Sequence, residues 1–232
     1  MGGQACVFYG AAEFSRDTDL AILAEADNLD RLAAALRELE AEVIAVPPFH
    51  VDYLLRGHAV HFRCAHPEAR GMRVDVMARM RCVDDFRVLW SRRTEIAAPD
   101  GSSVDLLGIE DLVRAKKTQR DKDWPMVRRL VEAHYFAGRA DAAAKAILFW
   151  LRELRTPELL VEVAREYPGQ RQSAEATRPL LALAAAGDLE RLRAALRDEE
   201  DAERAADRAY WAPLRAELER LRHGEAGEHR SR

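Results

Sequence analysis

Lysine, long apolar runs, an export signal and a strong charge of either sign are scarce or missing in this chain of 232 residues. Nowhere do apolar residues continue for the ~20 positions that a helix needs to cross a bilayer. No basic segment followed by an apolar stretch opens the sequence, so export by a signal peptide is not indicated and a cytoplasmic protein with no membrane partner is expected. Cysteine is limited to Cys6, Cys64 and Cys82. So few, and an odd number, argue against a disulfide framework and fit a reducing compartment. The net charge is −4 and neither part of the chain dominates it. Residues 1–137 hold 19 basic and 22 acidic side chains, and residues 138–232 hold 17 and 18. Bulk attraction to nucleic acid is therefore not expected, and only a local basic groove would supply it. Of 36 basic residues only Lys116, Lys117, Lys122 and Lys145 are lysines, which reads as a genome composition bias.

What is present is a globular composition, 48% hydrophobic and 33% charged, in a chain long enough to bury a core without staples. Residues 4–12 read as a buried helix after a glycine pair, and residues 17–23 as a strand. Leu29, Leu32, Leu36 and Leu39 form one stripe of a helix over 28–41, with Asp27 or Asn28 as its cap. Residues 58–64 and 72–77 alternate as strands, joined by a turn around His66, Pro67 and Gly71. One or two short strands are expected over 94–107, with a turn at Pro99, Asp100 and Gly101. Helices follow over 109–119 and 122–137. After Gly138 the composition shifts to Ala, Leu, Arg and Glu, with helices predicted near 141–153, 157–166, 175–185 and 188–221 and a frayed tail from His223. The expected architecture is an α/β (α+β) domain at 1–137 and an all-helical domain at 138–232.

The chemistry concentrates in Gly2-Gly3, Asp17-Thr18-Asp19 and Asp75. On a strand, residues two apart share a face, so Asp17 and Asp19 present their carboxylates together. Asp75, flanked by Val74 and Val76, adds a third if its strand neighbours the first. Such like charges repel unless a cation neutralises them, and hard oxygen ligands suit Mg²⁺. Three carboxylates can bridge two such ions, the arrangement used for in-line phosphoryl displacement. The glycine pair lets backbone amides approach a phosphate at a helix start. Lys116 and Arg120, four residues apart on a helix, would clamp a triphosphate.

Met1, Gly2, Gly3, a spacer at 4–16, Asp17, Asp19 and Leu20 resemble the signature of the nucleotidyltransferase superfamily with the DNA polymerase β-like palm. Arg16 before the carboxylate pair is typical of its small prokaryotic members. Residues 110–123, with Lys116, Arg120 and Asp123, are similar to the helix that follows the palm in these members, among them the abortive-infection type IV toxins. The resemblance covers about residues 1–135 and implies a short mixed sheet flanked by helices. It also implies transfer of a nucleoside monophosphate from an NTP to a hydroxyl on a protein, an RNA or a small molecule. Asp17 and Asp19 would bind both ions, and Asp75 would bind the catalytic one and help deprotonate the acceptor hydroxyl. Gly2, Gly3, Arg16, Lys116 and Arg120 would hold the nucleotide. Two features depart from the pattern. No strand precedes the glycine pair in this sequence, so either the native start lies upstream or that strand is missing, and Thr18 stands where an apolar residue is usual.

Asp105 is a rival third carboxylate, explained more simply by turn and capping chemistry. Asp123 can pair with Arg120 or cap the next helix. His58, Cys64 and His66 share one strand face but spread along it, and His61 faces the other way, which does not make a zinc site. Cys6 reads as packing, and Trp90, Trp124, Trp150 and Trp211 as core or interface anchors. The alternative function is a catalytically inactive palm serving as a scaffold for a partner such as an antitoxin-like protein. A metal-dependent phosphohydrolase is a weaker third.

Overall fold

A computed structural model of the chain describes residues 1–98 and 101–229; Pro99 and Asp100 of the expected turn lie outside the described residues. Among those residues the protein is mixed α/β, with a four-stranded sheet, a two-stranded sheet and eleven α-helices. It divides into two compact units. One contains residues 1–8, 12–115 and the chain from 208 onward; the other contains residues 9–11 and 116–207. No helix among the described residues is long and apolar enough to cross a membrane.

The first unit is built on β1 (Asp17–Ala21), β2 (Ala41–Val43), β3 (Val60–Cys64) and β4 (Arg73–Met77), in the order β1-β4-β3-β2. β1 and β4 run parallel, while β4–β3 and β3–β2 are antiparallel. Val60, Phe62, Cys64, Val74 and Val76 alternate onto one face and are buried there. They pack with Ile22, with Leu36 of α2 (Ala26–Glu38) and with Leu54 of α3 (Val51–Arg56). Full burial of each such side chain contributes about 1.5–3 kcal/mol. A slip of β4 by one residue would turn Arg73 and Asp75 into this core, so the apolar face fixes the register. α2 begins two residues earlier than expected. Its N-cap is Glu25, without a side-chain hydrogen bond, while Asn28 Nδ2 donates to Leu23 O at 2.8 Å.

Several short elements escape the sequence pattern: β2, α3 and α4 (Phe86–Ser91) are too short to show a period. β5 (Thr94–Ala97) and β6 (Ser103–Leu106) form the antiparallel second sheet, in which Glu95 faces Asp105. Asp105 is thus a strand residue rather than a cap, and it accepts from Arg93 Nε at 2.5 Å. Trp90 is no core anchor. It is 45% exposed, stacked on Phe86, with the Arg93 guanidinium 4.2 Å from its ring centroid. α5 (Ile109–Lys116) carries the buried Asp111, which accepts from Arg92 Nε at 2.5 Å and Nη2 at 2.7 Å.

The last helix, α11 (Leu189–His229), continues beyond the predicted end near 221 and carries Pro213 inside it. Its residues from 208 onward belong to the first unit. There Glu217 accepts from Arg56 Nη2 at 2.8 Å and Nε at 3.3 Å, and its Oε2 lies 2.8 Å from Nε2 of the buried His58. Gly57 between these residues has φ 101° and closes α3 in the left-handed conformation. A Cβ there would stand 2.9 Å from the Tyr210 hydroxyl, so both backbone and space require glycine.

The second unit is helical: α6 (Asp123–Gly138), α7 (Ala144–Glu153), α8 (Pro157–Glu166), α9 (Pro168–Glu175), α10 (Leu181–Ala186) and the first part of α11. The division falls after Ala115 rather than after Ala137. α6 packs on the helices that follow it, with the Tyr135 and Trp150 rings edge to face at 5.1 Å. α8 ends at Glu166 ahead of Pro168, as expected, but Pro168 also opens α9, because proline is tolerated in a first turn where no intrahelical N–H bond is needed. The expected single helix over 175–185 is therefore split, with Pro179 between α9 and α10. The buried Arg178 donates to the carbonyls of Leu151 and Leu154 at 2.8 and 3.0 Å, satisfying the exit of α7.

Hydrogen bonding from His58 holds the Glu217 carboxyl below its ordinary pKa, against desolvation by burial and with further help from Arg56. An acid whose pKa falls on folding takes up protons more readily when unfolded. Its contribution is full above the unfolded value and is lost as pH falls toward the folded one. Glu217→Gln is expected to be less stable than wild type at pH 7. The gap should narrow below about pH 4.5, read from urea unfolding across pH; a constant gap would contradict this.

Candidate functional site

The face of the first sheet opposite its core carries the polar side chains. The β1–β4 ladder sets Asp17 beside Arg73 and Asp19 beside Asp75, and the β3–β4 ladder sets His61 beside Asp75. Neighbouring strands lie about 4.8 Å apart, and side chains at paired positions share a face. Asp17, Asp19, Asp75, Arg73 and His61 therefore occupy one surface, while Thr18, Val74 and Phe62 turn to the other. The alternation that buries the valines presents the carboxylates.

Asp75 is 14% exposed and strongly held. Its Oδ1 is 2.8 Å from His61 Nδ1 and accepts from Arg73 Nε at 2.9 Å; its Oδ2 accepts from Arg73 Nη2 at 3.2 Å. Burial pushes the Asp75 carboxyl up, but the hydrogen bonds from His61 and Arg73 outweigh it and leave the pKa below the ordinary value. Arg73 is raised in turn, chiefly by its hydrogen bond to Asp75, against burial and with the fields of Asp75, Asp17 and Asp19. One guanidinium thus answers to three carboxylates.

The glycine pair lies against this group. β1 is an edge strand, and its free edge is met by the start of α1 (Gly2–Phe8). Met1 N donates to Asp19 O at 2.8 Å, and Gly3 N donates to Asp19 Oδ2 at 3.2 Å. Gln4 Nε2 donates to Thr18 Oγ1 at 3.0 Å, which gives the departure at position 18 a partner. Gly2 has φ 72°, and a Cβ on it would stand 1.9 Å from Asp19 Oδ2. Gly3 has the Ser15 hydroxyl 2.5 Å from the place of its Cβ, and Ser15 Oγ donates to Asp17 O at 3.1 Å. Arg16 lies 5.9 Å from the ring centroid of the exposed Phe14.

Lys116 and Arg120 fall in the second unit, where both meet the buried Asp123. Arg120 Nε donates to Asp123 Oδ2 at 2.7 Å, Thr118 Oγ1 donates to the same oxygen at 2.5 Å, and Lys116 Nζ lies 3.6 Å from Oδ1. Asp123 therefore pairs with Arg120, and Lys122 takes the cap position of α6. The histidines and cysteine set aside as zinc ligands have separate roles: His58 meets Glu217, Cys64 is in the core, and His66 accepts from Glu68 N.

Sequence reading missed Arg73 and His61 as members of this surface. Arg73 was within reach, since it precedes Asp75 by the same two-residue step that joins Asp17 to Asp19. His61 needed the antiparallel register, which no local pattern gives. Compared with known proteins, the chain matches no protein-family model, no curated protein and no solved structure.

The donor types suit a hard divalent cation: oxygen ligands on adjacent strands, Asp75 ionised at neutral pH. As the side chains stand, with Asp75 drawn to Arg73 and His61, no three His, Cys, Asp or Glu groups among the described residues converge as ligands of one ion.

Replacing Gly2 or Gly10 by Ala puts a side chain at positive φ, which costs about 1–2 kcal/mol. Gly10, φ 74°, has nothing within 4 Å of the added Cβ. Gly2→Ala should therefore destabilise more than Gly10→Ala in denaturant unfolding, and equal losses would show that Asp19 yields freely.

Proposed function

We propose that the protein is a Mg²⁺-dependent nucleotidyltransferase that moves a nucleoside monophosphate from an NTP to a hydroxyl acceptor on a protein, an RNA or a small molecule. The observation that carries this reading is the pairing of Asp19 with Asp75 across the β1–β4 ladder, with Asp17 on the same face and Gly2-Gly3 packed against Asp19. Asp17, Asp19 and Asp75 are the residues to hold divalent ions, which when bound neutralise triphosphate oxygens and stabilise the leaving pyrophosphate. Asp75, ionised at neutral pH, would also take the proton of an acceptor hydroxyl once Arg73 and His61 release it. Gly2 and Gly3 let the backbone approach Asp19 and Ser15 more closely than a side chain would allow, and Arg16 precedes the carboxylates on the chain. By the nucleotidyltransferase resemblance Lys116 and Arg120 would meet phosphate, each giving up its contact with Asp123 within the second unit.

A second reading, a catalytically inactive palm that binds a protein partner, draws on two observations: Arg73 and His61 occupy Asp75, and Asp123 occupies the lysine and arginine assigned to phosphate. Calorimetry with Mg²⁺ and each of the four NTPs separates the two. Metal-dependent binding by wild type that is lost in Asp17→Ala/Asp19→Ala is expected. A folded wild type that binds none of the four would contradict the transferase and favour the scaffold.

A further inference from the structure

Arg73 stands among the three carboxylates assigned above to divalent ions. Its guanidinium grips Asp75 through two hydrogen bonds, 2.9 and 3.2 Å, and feels the fields of Asp17 and Asp19. It comes from the strand position beside Asp17, so it stands on the carboxylate face by register and not by a flexible excursion. We propose that Arg73 is a built-in counter-cation that competes with divalent metal for Asp75, so that bare metal binds poorly and the ions are taken up together with a triphosphate. The inference rests on the nucleotidyl-transfer reading above and adds an order of loading to it.

The charges carry the argument. Three carboxylates and one guanidinium leave the face with two negative charges, enough for one divalent ion. Two ions would leave a net positive face beside a guanidinium, which is unfavourable until a triphosphate brings its own negative charge. For an ion to take the oxygens of Asp75, Arg73 must release them. A guanidinium released there is unpaired on a partly exposed surface, and a phosphate group matches its forked donors as a carboxylate does. Triphosphate therefore favours the metal-bound arrangement twice, by delivering negative charge and by receiving Arg73.

The test is binding of Mn²⁺ alone, followed by electron paramagnetic resonance of free Mn²⁺, for wild type, Arg73→Gln, Arg73→Lys and Asp75→Asn. Arg73 is 39% exposed, so its replacement leaves the sheet core intact, and circular dichroism checks the fold. Removal of the charge is expected to tighten Mn²⁺ binding by about tenfold. Arg73→Lys, which keeps the charge, should stay near wild type, and Asp75→Asn should bind more weakly than either. With Mn²⁺ and a non-hydrolysable NTP, the advantage of Arg73→Gln should vanish or reverse. If Arg73→Gln binds Mn²⁺ no tighter than wild type while Asp75→Asn weakens binding, the competition is refuted and the metal-binding reading survives. If no variant binds Mn²⁺ with or without the nucleotide, both fall.

Discussion

Burial of Val74 and Val76 against Leu36, Leu54 and Phe62 holds β4 in a single register, and the rest of the candidate site depends on that. A strand presents alternate residues to opposite faces, so sealing the valines inside forces Arg73 and Asp75 outward. The parallel pairing with β1 then sets Asp75 beside Asp19, and the antiparallel pairing with β3 sets His61 beside Asp75. The polar surface is a consequence of the apolar one. Its residues come from three strands and converge because the core allows no other alignment.

Such convergence concentrates negative charge, and the protein answers it from several directions. Gly3 lends a backbone amide to Asp19, His61 and Arg73 lend donors to Asp75, and Arg73 spreads its field over all three carboxylates. The second unit repeats the device with other residues: Asp123, buried, is held by Thr118, Arg120 and Lys116. Each of these pairings is an interaction that a metal or a phosphate would have to replace. That replacement links the electrostatics of the resting protein to the proposed reaction.

Three of the four strands of the first sheet, β1, β3 and β4, and most helices were legible, and the face shared by Asp17 and Asp19 follows from the two-residue step alone. β2, α3 and α4 were not, since elements of three to six residues show no period. Pro168 marked the end of α8, but α9 was missed because a proline that ends one helix can also open the next. The shift in composition at Gly138 falls inside the second compact unit, where packing of Tyr135 on Trp150 joins α6 to the helices beyond. At the site, His61 was hidden by the need for inter-strand register. The capture of Lys116 by Asp123 was hidden by the bend that brings residues 116 and 123 together.

The central claim is that the carboxylate face of the first sheet receives the metal–nucleotide. Paramagnetic broadening of backbone amide signals by substoichiometric Mn²⁺, in the presence of a non-hydrolysable NTP, reads that location residue by residue. The account predicts that the signals of Gly3, Asp17, Asp19 and Asp75 are lost first, while those of the opposite face, such as Leu36 and Leu54, persist. Broadening elsewhere with these signals intact would contradict it.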